Sequence, residues 1–309
     1  MKRTTWRVFA TQWWLLATFA LAAAARNAEP STPCKDCAAW NTAQAPFRIY
    51  GNTYYVGVHG LSSILITSDR GHILIDGDLP ESAPRIAASI RQLGFRVEDV
   101  KLILNSHVHF DHAGGIAELQ RLSGAEVAAS SSSAKVLKAG HSGPDDPQFH
   151  QLPGIPRVVR VRVIGNDEVL HVGPLEITAH LTAGHTAGGT SWSWKSCEQA
   201  RCLAIAYVDS LTAVSDDSFL FSRNTTYPTV LADFERSFVT VSALPCDILL
   251  TPHPEASALW SRLARRDHGD TDGLVDVSAC RQLADAARQQ LGYRVAKEAS
   301  TRSPAANRS

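Results

Sequence analysis

The chain carries no excess of charge. Lys and Arg together number 30 and Asp and Glu also number 30, so the formal net charge at pH 7 is zero. Nothing in that balance favours nucleic acid or an anionic membrane as a partner. No short-period repeat runs through the sequence, which excludes a solenoid or propeller array. Only one C-x-x-C occurs, Cys34 to Cys37, so a zinc site built from two cysteine pairs lacks its second half. No Leu-x-x-Cys pattern precedes Cys34; the residues there are Ser31-Thr32-Pro33, which argues against a lipid anchor at that cysteine. The apolar stretch Trp13–Ala25 falls short of the roughly 20 residues that a membrane-spanning helix requires.

What that stretch does fit is an export signal. Lys2, Arg3 and Arg7 form a basic leader, and Ala23-Ala24-Ala25 offers a small-residue cleavage site before Arg26. Residues 1–25 are therefore expected to be a signal peptide and the mature protein to be periplasmic. Removing Lys2, Arg3 and Arg7 leaves 27 of the 30 positive charges against 30 negative ones. Export makes disulfides accessible to the six cysteines. Cys197 and Cys202 flank Glu198-Gln199-Ala200-Arg201 in a way that fits a hairpin tip. A bridge from Cys246, ahead of a buried strand, to Cys280, on a late helix, would pin that helix to a sheet. Cys34–Cys37 lies in a polar arm and not at a helix start within a βαβ unit, so a local structural bridge is favoured over a redox motif.

Residues 26–296 are read as a single domain and 297–309 as a disordered tail. Strand-like runs cover 47–50, 53–58, 63–67 and 72–75. A helical pattern at 83–93 follows, with Ile86, Ile90 and Leu93 on one face, then a strand at 101–104, a helix at 116–122, a strand at 126–129 and a helix at 132–139. Residues 140–156, rich in Gly, Pro and Asp, read as a long loop. Strands are expected again at 157–163, 168–172, 175–181, 190–194 and 203–208. A helix at 231–244, a strand at 247–250 and helices near 256–266 and 276–292 close the chain. Strands then helices, twice over, indicate α/β architecture: two packed sheets with helices on both outer faces, an αββα sandwich with a site at one edge.

The chemistry concentrates in His107-Val108-His109-Phe110-Asp111-His112, directly after the apolar run Leu102-Ile103-Leu104 and before Gly114-Gly115. Imidazole nitrogen suits Zn²⁺, and a carboxylate adds a harder oxygen ligand. His107 and His109 can point the same way from an extended segment. Asp111 and His112 lie beyond the turn and can point elsewhere, which suggests two metals. His185, in Gly184-His185-Thr186, and His253, in Pro252-His253-Pro254, repeat the context of a histidine following a strand. The other seven histidines do not, although His150 is a weak pocket candidate.

These positions, taken in order, resemble the metallo-β-lactamase superfamily. The likeness to subclass B3 metallo-β-lactamases runs from about Trp40 to Leu291. It includes Tyr50-Gly51-Asn52-Thr53, Gly71-His72-Ile73-Leu74-Ile75-Asp76-Gly77, Asp209-Ser210-Leu211-Thr212-Ala213 and Leu244-Pro245-Cys246-Asp247-Ile248-Leu249. The resemblance implies one zinc on His107, His109 and His185, and a second on Asp111, His112 and His253. Other subclasses place a zinc-binding cysteine at position 210; Ser210 here implies that His112 is a ligand. Related proteins carry bridges matching 197–202 and 246–280. They pair a cysteine at the place of Cys34 with one at position 59, where this chain has His59, so a Cys34–Cys37 bridge is the expected substitute.

The implied activity is hydrolysis of penicillins, cephalosporins and carbapenems, with hydroxide activated at the zinc pair attacking the ring carbonyl and Asp111 as the catalytic carboxylate. Ser210, Thr212 and Gln148 are the expected substrate contacts, with Phe149 as a further wall of the pocket. Small β-lactams are the expected partners of a monomeric enzyme. Asp76 and Asp209, each after a strand, read either as acceptors that orient a ligand histidine or as turn-forming residues. Trp192 and Trp194 share one face of a strand and read as core. Asp209 also keeps open a lactonase or thioesterase of the same superfamily. A non-catalytic metal-binding protein is the remote alternative.

Overall fold

The computed structural model describes residues 1–2 and 34–300. The expected signal segment falls almost entirely outside them, as does 301–309. Among the described residues the chain begins with α1 (Cys37–Trp40), β1 (Phe47–Tyr50), β2 (Thr53–Tyr55), β3 (Ile64–Ile66) and β4 (His72–Ile75). There follow α2 (Ala83–Gln92), β5 (Val100–Leu104), α3 (Phe110–Ala113), α4 (Ile116–Ser123), β6 (Glu126–Ser130), α5 (Ser131–Ala139) and β7 (Val161–Ile164). The second half comprises β8 (Val169–Val172), β9 (Leu175–Leu181), β10 (Thr190–Glu198), β11 (Arg201–Tyr207), α6 (Val230–Ala243), β12 (Ile248–Leu250), α7 (Leu259–Asp267) and α8 (Ala279–Ser300).

The strands form two sheets, ordered β1-β2-β3-β4-β5-β6-β7 and β12-β11-β10-β9-β8. Alternation along each strand assigns its two faces to different cores. Ile64, Ile66, Ile73, Ile75, Leu102 and Leu104 point inward and meet Ile177, Trp192, Trp194, Ile205, Tyr207 and Leu250 of the second sheet. Their neighbours Leu65, Leu74 and Ile103 point outward, onto Ile86 and Ile90 of α2 and Leu119 of α4. On the opposite outer face Ala206, Val208 and Leu249 pack under Phe234 and Phe238 of α6 and Ala284 and Leu291 of α8. The architecture is the αββα sandwich, and Trp192 and Trp194 are core residues.

Several segments differ from the sequence reading, among them three whose ends are set by contacts from elsewhere in the chain. The strand expected at 157–163 begins only at Val161. Residues before it cover the end of α5, where Val158 N–H donates to Leu137 O and Arg157 Nε to Lys138 O. The strand expected at 53–58 ends at Tyr55, because Val56 N–H turns to Ser63 O and Val58 N–H to Asp78 Oδ2. Helix α8 continues to Ser300, four residues into the segment expected to be disordered. Buried Glu298 anchors that last turn by accepting from Phe221 N–H and Ser222 N–H.

All six cysteines are bridged: Cys34–Cys37, Cys197–Cys202 and Cys246–Cys280. Cys197 and Cys202 face each other in the β10–β11 ladder, which extends both strands to the hairpin tip.

Candidate metal centre

Strands β4, β5 and β6 are mutually parallel, as are β11 and β12. Their carboxyl ends therefore emerge along one edge of the sandwich, and the loops beyond them carry the candidate residues. After β5, Asn105 and Ser106 lead into the histidine cluster. Asp76 accepts from Ser106 N–H at 2.7 Å, Ser106 Oγ at 2.6 Å and Tyr207 Oη at 2.8 Å. Trp192 Nε1–H donates to Asn105 O at 3.2 Å. Asp76 thus fixes the backbone leading to His107 and touches no ligand histidine.

The close approach of two turns explains Gly114-Gly115. A Cβ on Gly115 would lie 2.2 Å from Gly77 O, where the loop after β4 crosses the start of α4. Gly189 is required in the same sense, because a Cβ there would lie 2.4 Å from Asp209 Oδ2.

The structure brings together His107, His109 and His185 as one group and Asp111, His112 and His253 as another, the potential ligand atoms of each within 4.8 Å of one another. Ring centroids lie 4.4–4.9 Å apart along the series His109–His107–His112–His253, with His185 beside His107 and His109. Asp111 Oδ2 is 3.3 Å from both His112 Nε2 and His253 Nε2. Five of these six side chains are buried, and His253 is half-buried.

Each histidine of the first group has one nitrogen committed elsewhere. His107 Nδ1 lies 2.7 Å from Asp209 Oδ1, so the proton sits on Nδ1 and Nε2 keeps its lone pair. His185 Nδ1–H donates to Thr212 O at 2.8 Å. His109 uses Nε2, 3.2 Å from Asp146 Oδ2, which frees Nδ1. His107 Nε2 is buried and without a hydrogen-bond partner, an arrangement that costs free energy unless something binds it.

Electrostatics point the same way. Burial, then repulsion from the neighbouring rings, pushes His185 down to about 3. Burial above all holds His107 and His112 well below the ordinary histidine range. Neutral imidazole is the form that binds metal. For His109 burial acts downward, but the Asp146 carboxylate outweighs it and raises the pKa. Burial would raise Asp111, yet His112 and His253 bring it far below the usual carboxylate range, so it is ionised. One N₃ set and one ON₂ set, with His107, His112 and His185 held neutral and Asp111 ionised, fit Zn²⁺.

Two contributors were not legible in the sequence. Asp146, inside the 140–156 loop, orients His109, and the only local signal was an Asp-Asp pair in a Gly/Pro-rich loop. Trp40 lays its ring 5.2 Å from that of His253, and its four-residue helix is too short to read. Of the expected substrate contacts, Ser210 and Gln148 are half-buried and Thr212 is exposed. Gln148 N–H donates to Asp146 Oδ1 at 2.9 Å. Asp209 proves to be the acceptor that orients His107.

Comparison with known proteins identifies the family. The family model of the metallo-β-lactamase superfamily matches residues 56–197. The solved structure of Rm3 metallo-β-lactamase is 56% identical, covering 86% of this chain and 99% of its own, with a TM-score of 0.85. MEM-A1, a subclass B3 metallo-β-lactamase from a soil metagenome library, is 52% identical, covering 85% of this chain and 99% of its own, with a TM-score of 0.83. A curated N-acyl homoserine lactonase of Bacillus cereus is 32% identical over 74 residues, 16% of this chain, and the match spans only 30% of that relative's length. On this similarity the chain belongs to the metallo-β-lactamase superfamily, and within it resembles subclass B3.

Proposed function

We propose that this protein is a dizinc β-lactamase that opens the β-lactam ring of penicillins, cephalosporins and carbapenems in the periplasm. The observation that carries the reading is the pair of adjoining donor sets, His107/His109/His185 and Asp111/His112/His253, in a chain alignable over nearly the full length of B3 enzymes. Zinc bound there supplies Lewis acidity and a water of pKa near 7. The chain's own residues do the rest. Asp209, Thr212 O and Asp146 set the tautomers and orientations of the three histidines. Ionised Asp111, facing both His112 and His253, can accept a hydrogen bond from the attacking water. Thr212, whose Oγ1 lies 3.3 Å from His185 Nδ1, and Gln148, whose N–H donates to Asp146, adjoin residues of the metal groups, and with Ser210 they would offer donors for the carboxylate common to these substrates.

Lactonases and thioesterases of this superfamily often carry a metal-bridging aspartate near position 209. Here Asp209 Oδ1 is engaged by His107 Nδ1–H, while its Oδ2 is buried without a hydrogen-bond partner. Ser210 and the disulfides favour the β-lactamase reading. Periplasmic location rests on the basic-apolar leader of the sequence and on three disulfides. Among the described residues no helix is long and apolar enough to cross a membrane.

The test is hydrolysis of a chromogenic cephalosporin and a carbapenem by the purified mature protein, with and without a chelator. Chelator-sensitive ring opening supports the proposal. Lactone or thioester hydrolysis without it would overturn the proposal.

A further inference from the structure

The last two turns of α8 touch none of the six candidate metal ligands, yet they hold the loop between β11 and α6 on which part of the site depends. Arg294 and Glu298 are four residues apart on the helix and paired, Arg294 Nε to Glu298 Oε1 at 2.7 Å, with the Glu298 side chain only 4% exposed. Glu298 accepts from Phe221 N–H at 3.2 Å and Ser222 N–H at 2.8 Å, at the far end of that loop. The Arg294 guanidinium reaches its middle: Nη2 donates to Ser215 Oγ at 2.6 Å and Phe219 O at 3.2 Å, and Nη1 to Ala213 O at 3.5 Å. The guanidinium carbon also lies 5.1 Å from the centre of the Phe221 ring. A planar fork making several directed bonds fixes a loop in a way a single ammonium cannot.

Two branches lead from this loop to the histidines. In one, Thr212, next to Ala213, gives its carbonyl to His185 Nδ1–H. In the other, Asp216 crosses to the 140–156 loop: its N–H donates to Pro147 O at 2.9 Å, and its Oδ2 accepts from His150 N–H at 3.3 Å. That segment includes Asp146, the partner of His109. Two of the three histidines of the first group therefore have their orienting acceptors on loops that Arg294 and Glu298 brace.

We infer that Arg294 and Glu298 are positioning residues, setting the His185 and His109 side chains and the Ser210–Thr212 wall through the β11–α6 loop. The substrate half of this inference rests on the proposed β-lactamase activity; the loop and metal half does not.

Three readouts on Arg294→Gln test it, in the mature protein. Amide exchange over residues 211–223 should speed up by about tenfold or more. Zinc affinity at the His107/His109/His185 group, read by competition with a chromophoric chelator in a His253→Ala background that removes a donor of the other group, should fall by about tenfold. The cephalosporin KM should rise several-fold while kcat changes less. Arg294→Lys, which keeps the charge but not the fork, should recover part of each. Exchange that rises only within α8, with metal affinity and KM unchanged, would overturn the inference. If Arg294→Gln does not fold, Glu298→Gln is read in the same assays and must move them in the same direction. A wild-type protein inactive on β-lactams would sink the proposed function alone, since exchange and metal affinity still report on the loop.

Discussion

Asp209→Asn is the sharpest probe of the metal centre, because the side chain keeps its shape and loses only its charge. Asp209 Oδ1 accepts from His107 Nδ1–H at 2.7 Å, with both side chains essentially excluded from water. A hydrogen bond to a charged partner contributes about 1.5–3 kcal/mol and a neutral one about 0.5–1.5 kcal/mol. The difference of about 1–1.5 kcal/mol lowers the affinity of the first site roughly 5- to 13-fold. That lies at the weak end of the roughly 10- to 100-fold range for residues that orient a metal ligand. The second site, on Asp111, His112 and His253, should be unaffected. The assay is a chelator competition titration combined with kcat/KM at limiting and excess zinc. Activity lost at limiting zinc should return when zinc is added. A permanent loss, with both metals released together, would mean that Asp209 bridges the metals and that the lactonase-type reading is right.

Three further outcomes follow from the geometry. His253→Ala should reduce zinc from about two to about one per chain by elemental analysis, since it removes one of three donors of a tetrahedral set; unchanged stoichiometry would refute its assignment. Burial raises Asp76 from 3.8 to about 7, so the folded metal-free protein binds a proton there that the unfolded chain releases near pH 4. The Asp76 contribution to metal-free stability should therefore decline as pH rises from about 4 to about 7, by up to ~4 kcal/mol for a shift of this size, and then level off; because the buried histidines contribute in the opposite sense, it is read as the pH-dependent difference between wild type and Asp76→Asn in parallel denaturation series, and a difference that does not change with pH would refute it. Replacing Cys246 and Cys280 by serine opens a bridge with a sequence separation of 34 and should cost about 3–4 kcal/mol in chemical denaturation, while zinc content stays the same.

Much of the site could be read from the sequence because its ligands follow strands. Short continuous apolar runs identify β4, β5 and β12, and whatever follows their carboxyl ends must lie on one edge of parallel strands. That is why His107 to His112 and His253 are visible. Asp146 is not, because its place depends on how a long loop folds back onto His109 beyond β5, and no periodicity encodes that. Trp40 escaped for a related reason. Helix α1 is a single turn closed locally by the Cys34–Cys37 bridge, and its position is set by Gly60 N–H on Trp40 O and by the Trp40 ring against His253, contacts distant in sequence. The end of α8 is not legible as helix, because polar residues such as Arg294 and Glu298 look solvated until the loop they bind is known.

Each of the two donor groups draws on both halves of the sandwich. His107, His109, Asp111 and His112 follow β5 of the first sheet. His185 and His253 follow β9 and β12 of the second. Metal bound at either group would thus rivet one sheet to the other at the edge where their strands end. Zinc that binds only the folded chain adds RT ln(1 + [Zn]/Kd) to its stability. An organism that withholds zinc from this protein would therefore disarm it and also loosen the seam between its sheets, exposing the chain to proteases before any antibiotic is met.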